Sequence, residues 1–195
     1  AKTQKTAKIK VACIGNSITE GADIEPGKRY PVQLQMLLGN NYEVRNYGLG
    51  GRTLLKKRDA SYWQEDKDME VLAWNPDIVI IKLGTNDSKP QNWIYSDEFE
   101  TDYIEFIYSF KQLMGENRIY ICTPIPVFRE EWGVSQRIVS DEMIPMIRKI
   151  AQTQKVKLID LYTPMLGREA LAPDGIHPNA DGATVIAEEV LKAIR

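Results

Sequence analysis

Five short apolar runs, separated by stretches of helical spacing, constrain this chain more than any other feature. Ile9 to Ile14, Tyr42 to Asn46, Ile78 to Leu83, Ile119 to Cys122 and Lys157 to Leu161 read as strands. Most are continuously apolar rather than alternating, the pattern of parallel strands covered on both faces. Between them, Tyr30 to Leu38 predicts a helix, with Pro31 near its start and Gly39 just past its end. Phe99, Tyr103, Phe106, Ile107, Phe110, Leu113 and Met114 recur at three- and four-residue spacing and predict an amphipathic helix. A helix over Ser135 to Gln154 must absorb Pro145 through a kink or a late start. A last helix is expected from about Ala180 to Ile194. Strands alternating with helices predict an α/β fold with a parallel sheet and right-handed crossovers.

The chain has 195 residues and no internal repeat, low-complexity tract or linker. A single domain over residues 9–195 is the expectation, preceded by a polar, disordered segment over residues 1–8. With 25 basic and 27 acidic residues, the net charge of -2 leaves no electrostatic footprint for nucleic acid. No apolar run approaches the ~18–20 residues that cross a bilayer, so no membrane insertion is expected. Cys13 and Cys122 sit inside apolar runs and read as buried free thiols, too far apart in sequence for a metal finger. The first residue is Ala1, compatible with a removed signal peptide or a trimmed chain. A secreted or periplasmic location is the expectation favoured over the cytoplasm.

Open α/β sheets bind ligands beyond the carboxyl ends of their strands. The polar, glycine-rich segments fall at such ends: Gly15-Asn16-Ser17-Ile18-Thr19-Glu20-Gly21, Asn46 to Thr53, Gly84-Thr85-Asn86-Asp87, and the stretch leading to Asp174 and His177. His177 is the only histidine, so it is the one unperturbed imidazole available for acid–base chemistry near neutral pH. Asp174, three residues earlier, is near enough to hold one ring nitrogen and aim the other at a serine. Ser17 is the candidate nucleophile, although Ser17 and Glu20 also match a capping box. Gly51 could serve a turn that needs positive φ, or leave its N–H open to a developing oxyanion. Asn86 could make an Asx turn, or complete a three-donor oxyanion hole.

Taken together and in this order, the blocks around Ser17, Gly51, Asn86 and Asp174–His177 resemble those of the SGNH (GDSL-type) hydrolases, and the match runs from about Ile9 to Ile194. The resemblance implies a flavodoxin-like, three-layer α/β/α sandwich with a five-stranded parallel sheet, and ester hydrolysis. It assigns Ser17 as nucleophile, His177 as base and Asp174 as the residue that orients it. The Ser17 N–H, the Gly51 N–H and the Asn86 amide become oxyanion donors. Asn16 stands where the family usually has Asp, and Ile18 where it usually has Leu. No metal or cofactor is expected, since a single histidine without a cysteine cluster makes a poor metal site.

Two irregular stretches, Ser88 to Asp97 and Pro124 to Gly133, follow strands and should overhang the same sheet edge. The first carries Lys89, Gln91, Asn92, Trp93 and Tyr95, and the second Phe128, Arg129, Glu130, Glu131 and Trp132. Aromatics beside polar side chains suit a sugar, which makes Trp93, Phe128 and Trp132 candidate substrate-binding residues. Trp93 and Trp132 could equally pack the loops onto the domain. The chain's overall pattern, including the run Gly84 to Trp93, is similar to that of bacterial carbohydrate or sialate O-acetylesterases in the family, implying an acetylated sugar as substrate. A lysophospholipase or acyl-thioesterase is the alternative within the family. Outside it stand a non-catalytic flavodoxin-like module holding a phosphate at the helix start after Ser17, and an interaction domain without activity.

Overall fold

The computed structural model describes residues 7–58, 60–113, 115 and 118–195. Most of the expected disordered segment, residues 1–6, lies outside these, as does Met114. In chain order the main elements are β1 (Ile9–Gly15), α1 (Ser17–Glu20), α2 (Tyr30–Leu38), β2 (Tyr42–Gly48), α3 (Asp66–Trp74), β3 (Ile78–Lys82), α4 (Pro90–Trp93), α5 (Phe99–Lys111), β4 (Ile119–Cys122), α6 (Ile144–Gln154), β5 (Lys157–Ile159) and α7 (Ala180–Ile194). The strands form one parallel sheet in the order β2-β1-β3-β4-β5, the flavodoxin-like arrangement.

Successive residues of a strand face opposite sides of the sheet. Ala12, Ile14, Val79, Ile81, Ile119 and Ile121 therefore enter one core, with Val71, Phe106 and Ile147 of α3, α5 and α6. Val11, Cys13, Ile80, Tyr120 and Cys122 enter the other, with Leu34 of α2 and Ile186 of α7. Burial of both faces explains why the strand sequences do not alternate. The α5 side is rich in edge-to-face aromatic pairs, such as Phe106 on Phe110 at 5.1 Å and Phe99 on Tyr103 at 5.7 Å. Each such pair adds about 0.5–1.5 kcal/mol beyond its buried area. Cys13 and Cys122 are free and buried, and burial pushes both thiols up to about 12.

The structure corrects the sequence reading in several places. β2 continues two residues past Asn46, because Gly48 still pairs with Gly15. β5 stops at Ile159, where Asp160 Oδ1 accepts the N–H groups of Tyr162 and Thr163 and turns the chain. α3 was not expected; its buried residues are only Asp68 and Val71, too few to leave an apolar stripe. The helix ending at Gln154 starts as expected near Ser135 but passes through a π-helical segment, Ile138–Met143, before α6. Ile144 N–H bonds Val139 O, five residues back. Pro145 offers no N–H to the carbonyl four residues earlier, and the widened turn accommodates that loss. Among the described residues no helix is long and apolar enough to cross a membrane.

Candidate active site

β1 delivers the chain to Asn16 and Ser17 at the carboxyl edge of the sheet. The expected capping box does not form. Asn16 is the N-cap: its Oδ1 accepts the Ile18 N–H at 3.0 Å, and its backbone carbonyl takes the N–H groups of Thr19 and Glu20. Glu20 instead reaches across to the Gly50 N–H at 2.5 Å. With Asn16 doing the capping, the Ser17 hydroxyl is left for another partner. That partner is His177: Ser17 Oγ lies 2.9 Å from His177 Nε2.

His177 Nδ1 lies 2.6 Å from Asp174 Oδ2, and Asp174 Oδ1 accepts the N–H groups of Ile176 at 2.8 Å and His177 at 2.6 Å. Partial burial would raise the Asp174 pKa, but the His177 and Ile176 N–H groups, then the imidazole itself, outweigh it and hold the carboxyl below its ordinary range. An ionised Asp174 can only accept, so the imidazole proton sits on Nδ1 and the Nε2 lone pair points at Ser17. Three residues from opposite ends of the chain thus form one hydrogen-bonded line.

Gly48 brings the second block close. A Cβ there would sit 2.2 Å from Glu20 N, so only glycine lets this loop lie against α1. Beyond it, the Leu49 N–H bonds Gly15 O, the Gly50 N–H bonds Glu20 and the Arg52 N–H bonds Leu49 O. The Gly51 N–H, at φ +76°, has no acceptor among the described residues, and neither does the Ser17 N–H. Both residues line one pocket, where their open N–H groups can meet a ligand oxygen. Asn86 stands beside them, its amide donating one hydrogen to Arg52 O at 3.1 Å. Asp87 ties the third block to the second, its carboxylate accepting the Leu54 N–H at 3.0 Å and the Leu55 N–H at 2.8 Å. Complete burial pushes Asp87 up to about 7, with those N–H bonds opposing it.

Ser17, Gly51, Asn86 and His177 line a pocket of about 250 Å³ together with Asn16, Ile18, Thr85, Lys89, Trp132, Val134 and Ile176. Trp132 is among its walls, 61% exposed, its ring centroid 5.6 Å from that of His177. Trp93 is not. Its ring packs on Phe99 in the core at 5.3 Å, 7% exposed, and its Nε1 donates to Glu142 at 3.3 Å. Phe128 is also absent from the walls; it packs on the α2–α7 core, its N–H bonded to Gly175 O at 2.8 Å. Sequence reasoning missed the cap at Asn16, the Glu20 and Asp87 ties, and the apolar walls Val134 and Ile176. Only Ile176, lodged between Asp174 and His177, had a sequence position that could have flagged it.

A parallel α/β sandwich carrying a serine–histidine–aspartate line at its carboxyl edge defines a class, and comparison with known proteins agrees. Residues 13–185 match the GDSL-like Lipase/Acylhydrolase family, and the chain belongs to it. It is 39% identical to an acetylxylan esterase of Xylanibacter ruminicola, over 98% of this chain but 44% of that protein, so it spans less than half of that relative. An acetylxylan esterase of Geobacillus stearothermophilus is 27% identical over 95% of this chain and 93% of its own length. The crystal structure of Axe2, an acetylxylan esterase from that organism, superposes with a TM-score of 0.72 at 25% identity, over 96% of this chain and 94% of that one.

Proposed function

We propose that this protein is a serine carboxylic ester hydrolase that removes acetyl groups from a carbohydrate. The observation that carries the reading is the 2.9 Å contact of Ser17 Oγ with an imidazole whose far nitrogen is held by Asp174. Ser17 attacks the ester carbonyl as His177 Nε2 takes its proton, and Asp174 keeps the ring oriented and stabilises the imidazolium. The tetrahedral oxyanion accepts from the Ser17 N–H, the Gly51 N–H and the second hydrogen of the Asn86 amide. The sugar alcohol leaves with the proton from His177. Water, deprotonated by the same imidazole, then releases acetate from Ser17.

The acetyl group is supported by the small pocket, whose 250 Å³ falls below the ~300–1,000 Å³ typical of drug-sized ligands. A long acyl chain, as in a lysophospholipase, is correspondingly less well served. The carbohydrate is supported by Trp132 beside His177 and by the names of the relatives. Trp132 holds φ +52°, costly for a bulky residue, and such strain gathers at working sites. A phosphate-binding role fits less well, since Asn16 already takes three N–H groups of the α1 turn.

Hydrolysis of p-nitrophenyl acetate by the wild type and by Ser17→Ala tests the reading. The expected loss is roughly 10⁴-fold or more in kcat, as for removal of a catalytic serine elsewhere. Turnover of the purified variant at the wild-type rate would refute it.

A further inference from the structure

Among the described residues that line the pocket, Lys89 is the one ionisable side chain apart from the His177 imidazole, and no described residue forms an ion pair with it. Its place is fixed from both ends. The Lys89 carbonyl accepts the N–H groups of Asn92 at 2.9 Å and Trp93 at 2.8 Å, and its own N–H donates to Asn86 O at 3.3 Å. The next loop lies along its stem, for a Cβ at Gly133 would sit 3.8 Å from Lys89 Cγ. A lysine whose methylenes are covered in this way keeps its ammonium toward water, and Lys89 shares the pocket lining with Asn86 and Trp132.

Carboxylates on the neighbouring loop and on the π-helical segment after it are already engaged. Glu131 pairs with Arg129 at 3.1 Å, Glu130 accepts the Gln136 N–H at 3.1 Å, and Glu142 pairs with Arg137 at 3.0 Å. Beyond His177 a second pocket is lined by Asp23 and Glu25, with Lys28 paired to Glu25 at 3.6 Å. The two flanks of the histidine therefore differ in sign: acidic at Asp23, basic at Lys89. An anionic substrate is repelled from one and drawn to the other.

We propose that Lys89 selects esters borne on carboxylated sugars, its ammonium receiving the sugar carboxylate while Trp132 covers the ring. This rests on the ester-hydrolase reading and names the substrate class for it. Uronic acid branches and sialic acids both present that carboxylate, and the assay separates them.

The test is kcat/KM of the wild type and of Lys89→Met on four esters: acetylated xylo-oligosaccharides with and without a glucuronic acid branch, O-acetylated sialic acid, and p-nitrophenyl acetate. The wild type is expected to favour at least one carboxylated sugar over the neutral one by on the order of tenfold at low salt, about 1.4 kcal/mol. That ratio should shrink at high salt and approach one in Lys89→Met, chiefly through KM, whatever common factor the substitution imposes on all four. Whichever acid shows the preference identifies the source of the carboxylate. Equal wild-type values on charged and neutral sugars would overturn the inference while leaving ester hydrolysis standing. So would a ratio that survives in Lys89→Met. Failure of the wild type to hydrolyse p-nitrophenyl acetate would instead remove the hydrolase reading, and this inference with it.

Discussion

Trp93 and Trp132 stand on two loops that overhang the same edge of the sheet, and they meet opposite fates. Trp93 lies on α4, where Phe99 receives its ring and Glu142 satisfies its N–H, so the indole is structural. Trp132 lies at a left-handed turn in an irregular loop, largely exposed, with His177 as its ring neighbour. The difference is one of partners. A buried indole needs an apolar contact for its body and an acceptor for its N–H, and the first loop supplies both. The second loop leaves its indole facing the pocket, free to meet a ligand.

The largest expected effect falls on the inward loop. Trp93→Ala should cost about 3–5 kcal/mol of stability, as truncation of a buried aromatic does, read as a fall in the denaturant midpoint. An unchanged midpoint with poorer sugar turnover would break the distinction between the loops. At the base of that loop, Asn86→Ala should lower kcat by roughly 10²–10³-fold, about 3–4 kcal/mol of transition-state stabilisation. A change confined to KM would deny Asn86 its part in holding the oxyanion. The smallest effect belongs to Trp132. Trp132→Ala should shift stability by no more than about 0.5 kcal/mol. It should lower kcat/KM on an acetylated sugar several-fold more than on p-nitrophenyl acetate, since a ring contact is worth about 0.5–1.5 kcal/mol. Equal losses on both esters would make Trp132 a packing residue like Trp93.

The comparison also marks what the sequence could and could not tell. The strands were legible because burial on both faces leaves an unbroken apolar run, as in Ile78 to Ile81. α2 was legible to the residue and α7 closely, since Pro31 and Gly39 bracket the first and Ala183, Ile186, Ala187 and Val190 stripe the second. α3 was not, because a helix that buries little carries little pattern. The blocks around Ser17, Gly51, Asn86 and His177 stood out as polar and glycine-rich segments at strand ends, and they line one pocket. Their ties were hidden. Asn16 as the cap, Glu20 on Gly50 and Asp87 on Leu54 and Leu55 are long-range or competing hydrogen bonds that spacing does not encode. Nor could composition separate Trp93 from Trp132, because which indole turns inward depends on what α5 and the π-helical segment place beneath it.

The central claim is that the Ser17 oxygen is the attacking atom, and a fluorophosphonate probe tests it most directly. Peptide mass spectrometry of the labelled protein should find one adduct, on Ser17, much reduced when His177 is replaced by alanine. Absence of an adduct on the folded wild type, or an adduct on another residue with Ser17 untouched, would contradict the account.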